Sequence, residues 1–231
     1  MNHVSEAQVT SPAIEEVAKK PIKEDKAMII STAEAVRLQH LLEDERFGDG
    51  SIEVIKRFDS IDDIKHVLFN REPYLLVDKA VVFRQNVDGQ TKDRIVSQLT
   101  VTEQHCAGHY PGYPMLPFAL MGEIIGQAGA ILLTTSYQKE IGDAIPLAVK
   151  ATNLKSGNSG PTFPGDILTI VAEVIRMRGG FAVLTATMIV RDETVVTLDE
   201  VSFYAVKLPL KRMENGDVHR VPQEQTPKEV N

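Results

Sequence analysis

Apolar and polar positions along the chain fall into rhythms that change abruptly, and the plainest runs from Phe118 to Leu133. Only Glu123 and Gln127 are strongly polar there, so the segment is apolar nearly all round, the pattern of a buried helix. Pro117 fits its first position, where the missing N–H costs nothing and φ is already helical. The length approaches that of a membrane span, but a carboxylate and an amide near the middle, with Gly122, Gly126 and Gly129, argue for a core helix and no span. Gly122, Gly126 and Ala130 recur every four residues and present one smooth face for close packing. Glu123 and Gln127 share another face.

Around this helix the rhythm is mostly that of strands. Ser31 to Phe47 opens on Ser31-x-x-Glu34 and carries Val36, Leu38, Leu41 and Leu42, which predicts an accessory helix ended by Gly48-Asp49-Gly50. A second capping pattern, Ser60-x-x-Asp63, introduces a short amphipathic helix with Ile61, Ile64, Val67 and Leu68. Strands are predicted at Tyr74–Phe83, Arg94–Thr102, Ile145–Thr152, Ile167–Arg176, Phe181–Arg191 and Thr194–Val206. Turns at Asn86–Gly89, Arg178-Gly179-Gly180 and Asp192-Glu193 join neighbours as hairpins. The fold class is therefore α+β, an antiparallel sheet wrapped on one long helix. Three regions are expected: residues 1–50 as an extension, disordered to about Lys26 and then helical; 51–208 as the domain; and 209–231 as a loose tail.

Composition narrows the function. A net charge of −7 argues against nucleic-acid binding. One cysteine, Cys106, excludes an intrachain disulfide and a cysteine-rich metal site. Residues 1–30 mix acids and bases without an apolar core, so neither a signal nor a transit peptide is expected, and the cytoplasm is the default compartment.

The chemistry-bearing residues sit just ahead of the helix. The run Gly108-His109-Tyr110-Pro111-Gly112-Tyr113-Pro114, followed by Met115-Leu116-Pro117 and then by Glu123 and Gln127, resembles the 3-hydroxyacyl-[acyl-carrier-protein] dehydratases of the FabZ type. Pro73 to Asp78, Pro164-Gly165-Asp166 and Arg178-Gly179-Gly180 agree in order, and the resemblance covers about Ile61 to Val206. It implies the hot-dog fold, His109 and Glu123 as the catalytic pair, and no cofactor or metal. It also implies a homodimer in which the two residues meet from different subunits, with a trimer of dimers as a larger option, and acyl carrier protein as the partner presenting substrate. Phe118 stands where the family has glycine, and its backbone N–H with that of Ala119 is the implied holder of the thioester carbonyl. Lys155 to Pro161 lacks the family's usual basic pair.

Loss of water from a 3-hydroxyacyl thioester needs a base for a C2 proton and an acid for the C3 hydroxyl. Neutral His109 suits the first role, and a protonated Glu123, favoured by an apolar enclosure, suits the second. Pro117, Tyr110 and Gln127 are grouped with Phe118 and Ala119 on the substrate side, although for Gln127 the fixing of a loop by hydrogen bonds is the favoured role. His105 and His109 lack a third ligand for a metal. On the residues alone, a hot-dog thioesterase working through Glu123 and a non-catalytic acyl-binding protein stay open.

Overall fold

The computed structural model describes residues 29–44, 50–213 and 217–221. The expected disorder of residues 1–26 and the final stretch from 222 lie outside that range. Element order is α1 (Thr32–Gln39) with a 3-10 turn (His40–Leu42), β1 (Ile52–Phe58), α2 (Ile61–Lys65), β2 (Lys79–Val87) and β3 (Gln90–Thr100). There follow α3 (Glu103–Cys106), α4 (Phe118–Ser136), α5 (Gln138–Ile141), β4 (Ile145–Ser156), β5 (Ile167–Arg178), β6 (Phe181–Val190) and β7 (Glu193–Val206). A small hairpin, β8 (Leu210–Arg212) and β9 (Val218–Arg220), closes the described chain.

Seven strands form one antiparallel sheet in the order β1-β2-β3-β5-β6-β7-β4. Successive side chains alternate faces, and here both faces are covered. Ala80, Val82, Ile95, Ile170 and Met188 enter the core around α4. Their neighbours Val81, Phe83, Val96, Val171 and Ile189 enter a second core with Ala35, Leu38, Leu41 and Leu42 from the α1 region. Coverage on both sides explains the unbroken apolar run Ala80–Phe83 within β2.

The α1 layer is pinned by charge as well as by apolar contact. Arg94, 3% exposed, donates to Glu173, to Gln85 at 2.8 Å and to Glu34 of α1 at 2.5 Å. A buried guanidinium needs such partners, because leaving it unpaired costs several kcal/mol, about 3–5. Thr187 adds a hydroxyl bond to the Ile30 carbonyl at 2.6 Å.

Several expectations are corrected. The α1 helix ends at Gln39 and passes into the 3-10 turn rather than running to Phe47, and residues 45–49 lie outside the described range. β1 was not foreseen. β2 starts at Lys79, because Leu76 is bonded by a side chain rather than by a strand ladder. The stretch from 209 onward is no loose tail as far as it is described, since β8 and β9 pair through Leu210–Arg220 to Arg212–Val218. Pro117 is the N-cap, with ψ 130°, and Phe118 is the first helical residue. The Gly122/Gly126/Ala130 face meets the sheet only in part: a Cβ at Gly126 would touch Ala148 of β4 at 3.5 Å, but the closest approach is elsewhere. It falls at Gly129, where a Cβ would lie 2.4 Å from the Phe203 ring, whereas one at Gly122 would meet nothing.

Candidate active site

The loop from Cys106 to Leu116 positions the histidine. Short turns, His109 N–H to the Cys106 carbonyl at 3.2 Å and Tyr113 N–H to the Tyr110 carbonyl at 2.9 Å, fold it back on itself. Leu116 N–H bonds the Thr162 carbonyl at 2.8 Å and ties the loop to the segment before β5. His109 is half-buried, and its Nδ1 lies 3.0 Å from the Met115 carbonyl. A carbonyl only accepts, so Nδ1 carries a proton, and in the neutral tautomer this fixes, Nε2 is the nitrogen with the lone pair. Tyr110 packs beside the ring with centroids 4.4 Å apart.

The carboxylate is held from two directions. Gln127 Nε2 donates to Glu123 Oε1 at 2.9 Å, one helical turn away, and Asn70 Nδ2 donates to the same oxygen at 3.3 Å. Gln127 is 3% exposed and gives its remaining capacity to the Tyr74 carbonyl at 2.7 Å and the Leu76 N–H at 2.8 Å. Its amide is thus committed to protein groups, the arrangement expected of a residue that fixes a loop. It fixes both the acid and the loop ahead of β2. Both donors to Glu123 converge on Oε1, and Oε2 makes no hydrogen bond among the described residues.

Phe118 and Ala119 are exposed at the N-terminus of α4, and no side chain caps that end. Leu120 N–H bonds the Pro117 carbonyl, whereas the N–H groups of Phe118 and Ala119 make no hydrogen bond among the described residues. Free donors at a helix N-terminus, with the helix dipole behind them, suit an oxygen gaining negative charge. Glu123 is exposed too, so the enclosure expected around it is not supplied by the single chain. The helix is buried along its later turns and open along its first ones. Within one chain His109 and Glu123 do not hydrogen-bond each other.

A cavity of about 420 Å³ adjoins the carboxylate through Asn70 and continues past Ala130, Thr134 and Leu147. Among the described residues no group of three or more His, Cys, Asp or Glu side chains is placed to hold a metal. His105 accepts the Thr102 N–H at 3.1 Å and caps α3. Cys106 is buried, and that burial raises its thiol pKa and keeps it protonated. Asn70 escaped the sequence reading, because a bond spanning 53 residues has no local signature. Its place just before Pro73 to Asp78 was the one available pointer.

Residues 68–199 match the family model of the FabA-like domain, a span holding His109, Glu123 and Gln127. The chain belongs to the FabA-like family. The sheet wrapped on α4 is accordingly the hot-dog fold. Among curated FabA-like relatives, the 3-hydroxyacyl-[acyl-carrier-protein] dehydratase FabZ of Clostridium perfringens is 34% identical over 133 residues, covering 56% of this chain and 88% of the relative. The FabZ of Chlamydia trachomatis serovar L2 is 34% identical over 149 residues, covering 64% and 92%. That of Koribacter versatilis is 37% identical over 136 residues, covering 58% and 81%.

Proposed function

We propose that this protein dehydrates a 3-hydroxyacyl thioester, carried on acyl carrier protein, to the trans-2-enoyl thioester. The observation that carries the reading is the Nδ1–H of His109, spent on the Met115 carbonyl, which leaves Nε2 available as a base. In the reaction Nε2 takes the C2 proton, the C2–C3 double bond forms as the C3–O bond breaks, and Glu123 Oε2 delivers a proton to the departing hydroxyl. Water leaves, and the imidazolium proton returns to the carboxylate. The free N–H groups of Phe118 and Ala119 stabilise the thioester oxygen while negative charge builds on it. The cavity beyond Asn70 receives the acyl chain, its volume lying within the range of small-ligand sites, roughly 300–1,000 Å³.

The working unit in this reading is a homodimer. β4 is the last strand of the sheet, and Leu147, Val149 and Leu154 on it are 36%, 54% and 37% exposed. Phe118 on the open turns of α4 is 44% exposed. A long apolar edge strand beside an open helix face is a template for pairing with a second chain. A second copy along β4 encloses Glu123 and brings the partner subunit's His109 to it.

The test is hydration of crotonyl thioester by the purified protein, followed by loss of enoyl-thioester absorbance. The expected result is catalysed hydration without release of free thiol. Release of thiol in its place identifies a thioesterase and overturns the reading.

A further inference from the structure

The acyl cavity has a wall built by chain outside the family match. The matched region ends at residue 199, and β8 and β9 pair only with each other, not with the main sheet. Yet Leu210, Lys211 and Arg212 line the cavity beside Asn70. The hairpin is strapped in place. Arg212 Nη1 donates to the His66 carbonyl at 2.6 Å and Nη2 to the Val67 carbonyl at 2.8 Å, and its guanidinium lies 4.2 Å from the Phe69 ring centre. Met213 N–H to the Asp217 carbonyl and Val221 N–H to the Pro209 carbonyl, each 2.8 Å, hold the hairpin ends together.

These bonds decide what the wall can do. The carbonyls that Arg212 grips belong to the segment whose Val67, Leu68 and Phe69 line the same cavity. Charge-assisted bonds of this kind are roughly twice as strong as neutral ones, and they tether β8 against that segment. Along α4, Thr134 lies eleven residues past Glu123, a rise of roughly 16 Å at 1.5 Å per residue. An acyl chain following the helix from the acid therefore runs beside Ala130 and Thr134, with β8 among the other walls. There Leu210, Lys211 and Arg212 form part of the lining, a wall with charged residues in it that suits a long alkyl end poorly.

We propose that the β8–β9 hairpin sets acyl-chain length, closing the cavity so that short 3-hydroxyacyl groups are accepted and long saturated ones are refused. The proposal rests on the dehydratase reading above. Pocket differences of a single methylene are worth about 10–200-fold in kcat/KM, so removal of a wall has a large readout.

The experiment measures kcat/KM for 3-hydroxybutanoyl and 3-hydroxydodecanoyl thioesters of acyl carrier protein. It uses the full chain, a chain ending at Leu208, and a Leu210→Ala/Lys211→Ala variant that keeps the Arg212 strap and so retains the fold. The full chain prefers the butanoyl substrate, and in both variants the dodecanoyl-to-butanoyl ratio rises at least ~10-fold, the lower end of that range. A full chain that handles both substrates equally overturns the proposal whatever the variants do. So does a smaller rise in the double variant. No dehydration of either substrate by the full chain overturns the dehydratase reading instead.

Discussion

Asn70 and Glu123 meet at 3.3 Å from opposite ends of 53 residues of chain, and Gln127 completes the grip on the same carboxylate oxygen at 2.9 Å. The acid is thus set by a loop and by its own helix together. Gln127→Ala removes the partner of both the Tyr74 carbonyl and the Leu76 N–H, and a buried polar group left unpaired costs about 1–3 kcal/mol. Its expected outcome is a lowered Tm together with a lowered kcat. Asn70→Ala touches only the exposed end of the arrangement, so kcat falls while Tm holds. Thermal melts alongside steady-state kinetics separate the two.

Gly129→Ala tests the closeness of α4 to the sheet. Alanine gains up to about 1 kcal/mol of helix propensity over glycine. Against that, its Cβ falls 2.4 Å from Phe203 Cζ and 3.2 Å from Leu184 Cδ2, both fully buried side chains. Overpacking of this kind costs about 1–3 kcal/mol, so the net effect is destabilising. The same change at Gly122, where nothing lies within 4 Å, leaves a single chain's stability level or raised. Denaturant midpoints for the two variants are expected to move apart.

Leu38→Ala tests whether the α1 layer is part of the folded domain. Leu38 is fully buried against the outer face of the sheet with Phe83 and Val96. Truncating such a leucine costs about 2–5 kcal/mol. Urea unfolding of the variant is expected to show one cooperative transition at a lower midpoint, not an unchanged one.

Much of this was legible in the sequence, and the parts that were not share a physical cause. α4 announced itself because few soluble segments are apolar on all sides, and β5 to β7 because tight turns separate β-rich runs. β1 hid because Glu53, Lys56 and Arg57 give an edge strand polar content. β4 runs on to Ser156, past the expected Thr152, because its partner β7 is long enough to pair with it. The hairpin β8–β9 has only three residues in each strand, too few for a period to show. The motif that makes His109, Glu123 and Gln127 candidates is local, within 19 residues of chain. Asn70 and the exposure of Glu123 depend on what the distant chain does, and no local pattern encodes that.

Acid stability carries a signature of the segment that buttresses the active loop. Burial raises the pKa of Asp166, but the Arg191 guanidinium at 2.5 Å and the Phe163 N–H at 2.8 Å outweigh it and hold the carboxyl below its ordinary value. A carboxyl lowered on folding contributes stability that is complete above its unfolded pKa of about 3.9 and is lost as pH falls through the folded value. Arg191→Ala is therefore expected to lower stability at neutral pH, by up to about 1 kcal/mol for a partly exposed pair. The same change also weakens the pH dependence below pH 4. Chemical denaturation at pH 7 and pH 3 checks both: the gap between the two proteins narrows at the lower pH.

The shared site is tested most directly by mixing two inactive proteins. His109→Ala removes the base and Glu123→Gln removes the transferable proton, and each alone is expected to lower kcat by at least ~10²-fold. In a mixed dimer built on one twofold axis, one site inherits both lesions and the other inherits neither, so free exchange of equal amounts restores roughly a quarter of the native rate. Exchange is confirmed independently by native mass spectrometry of the mixture. Recovery to that level is the result predicted here, and exchanged dimers that stay inactive would contradict a site built from His109 of one subunit and Glu123 of the other.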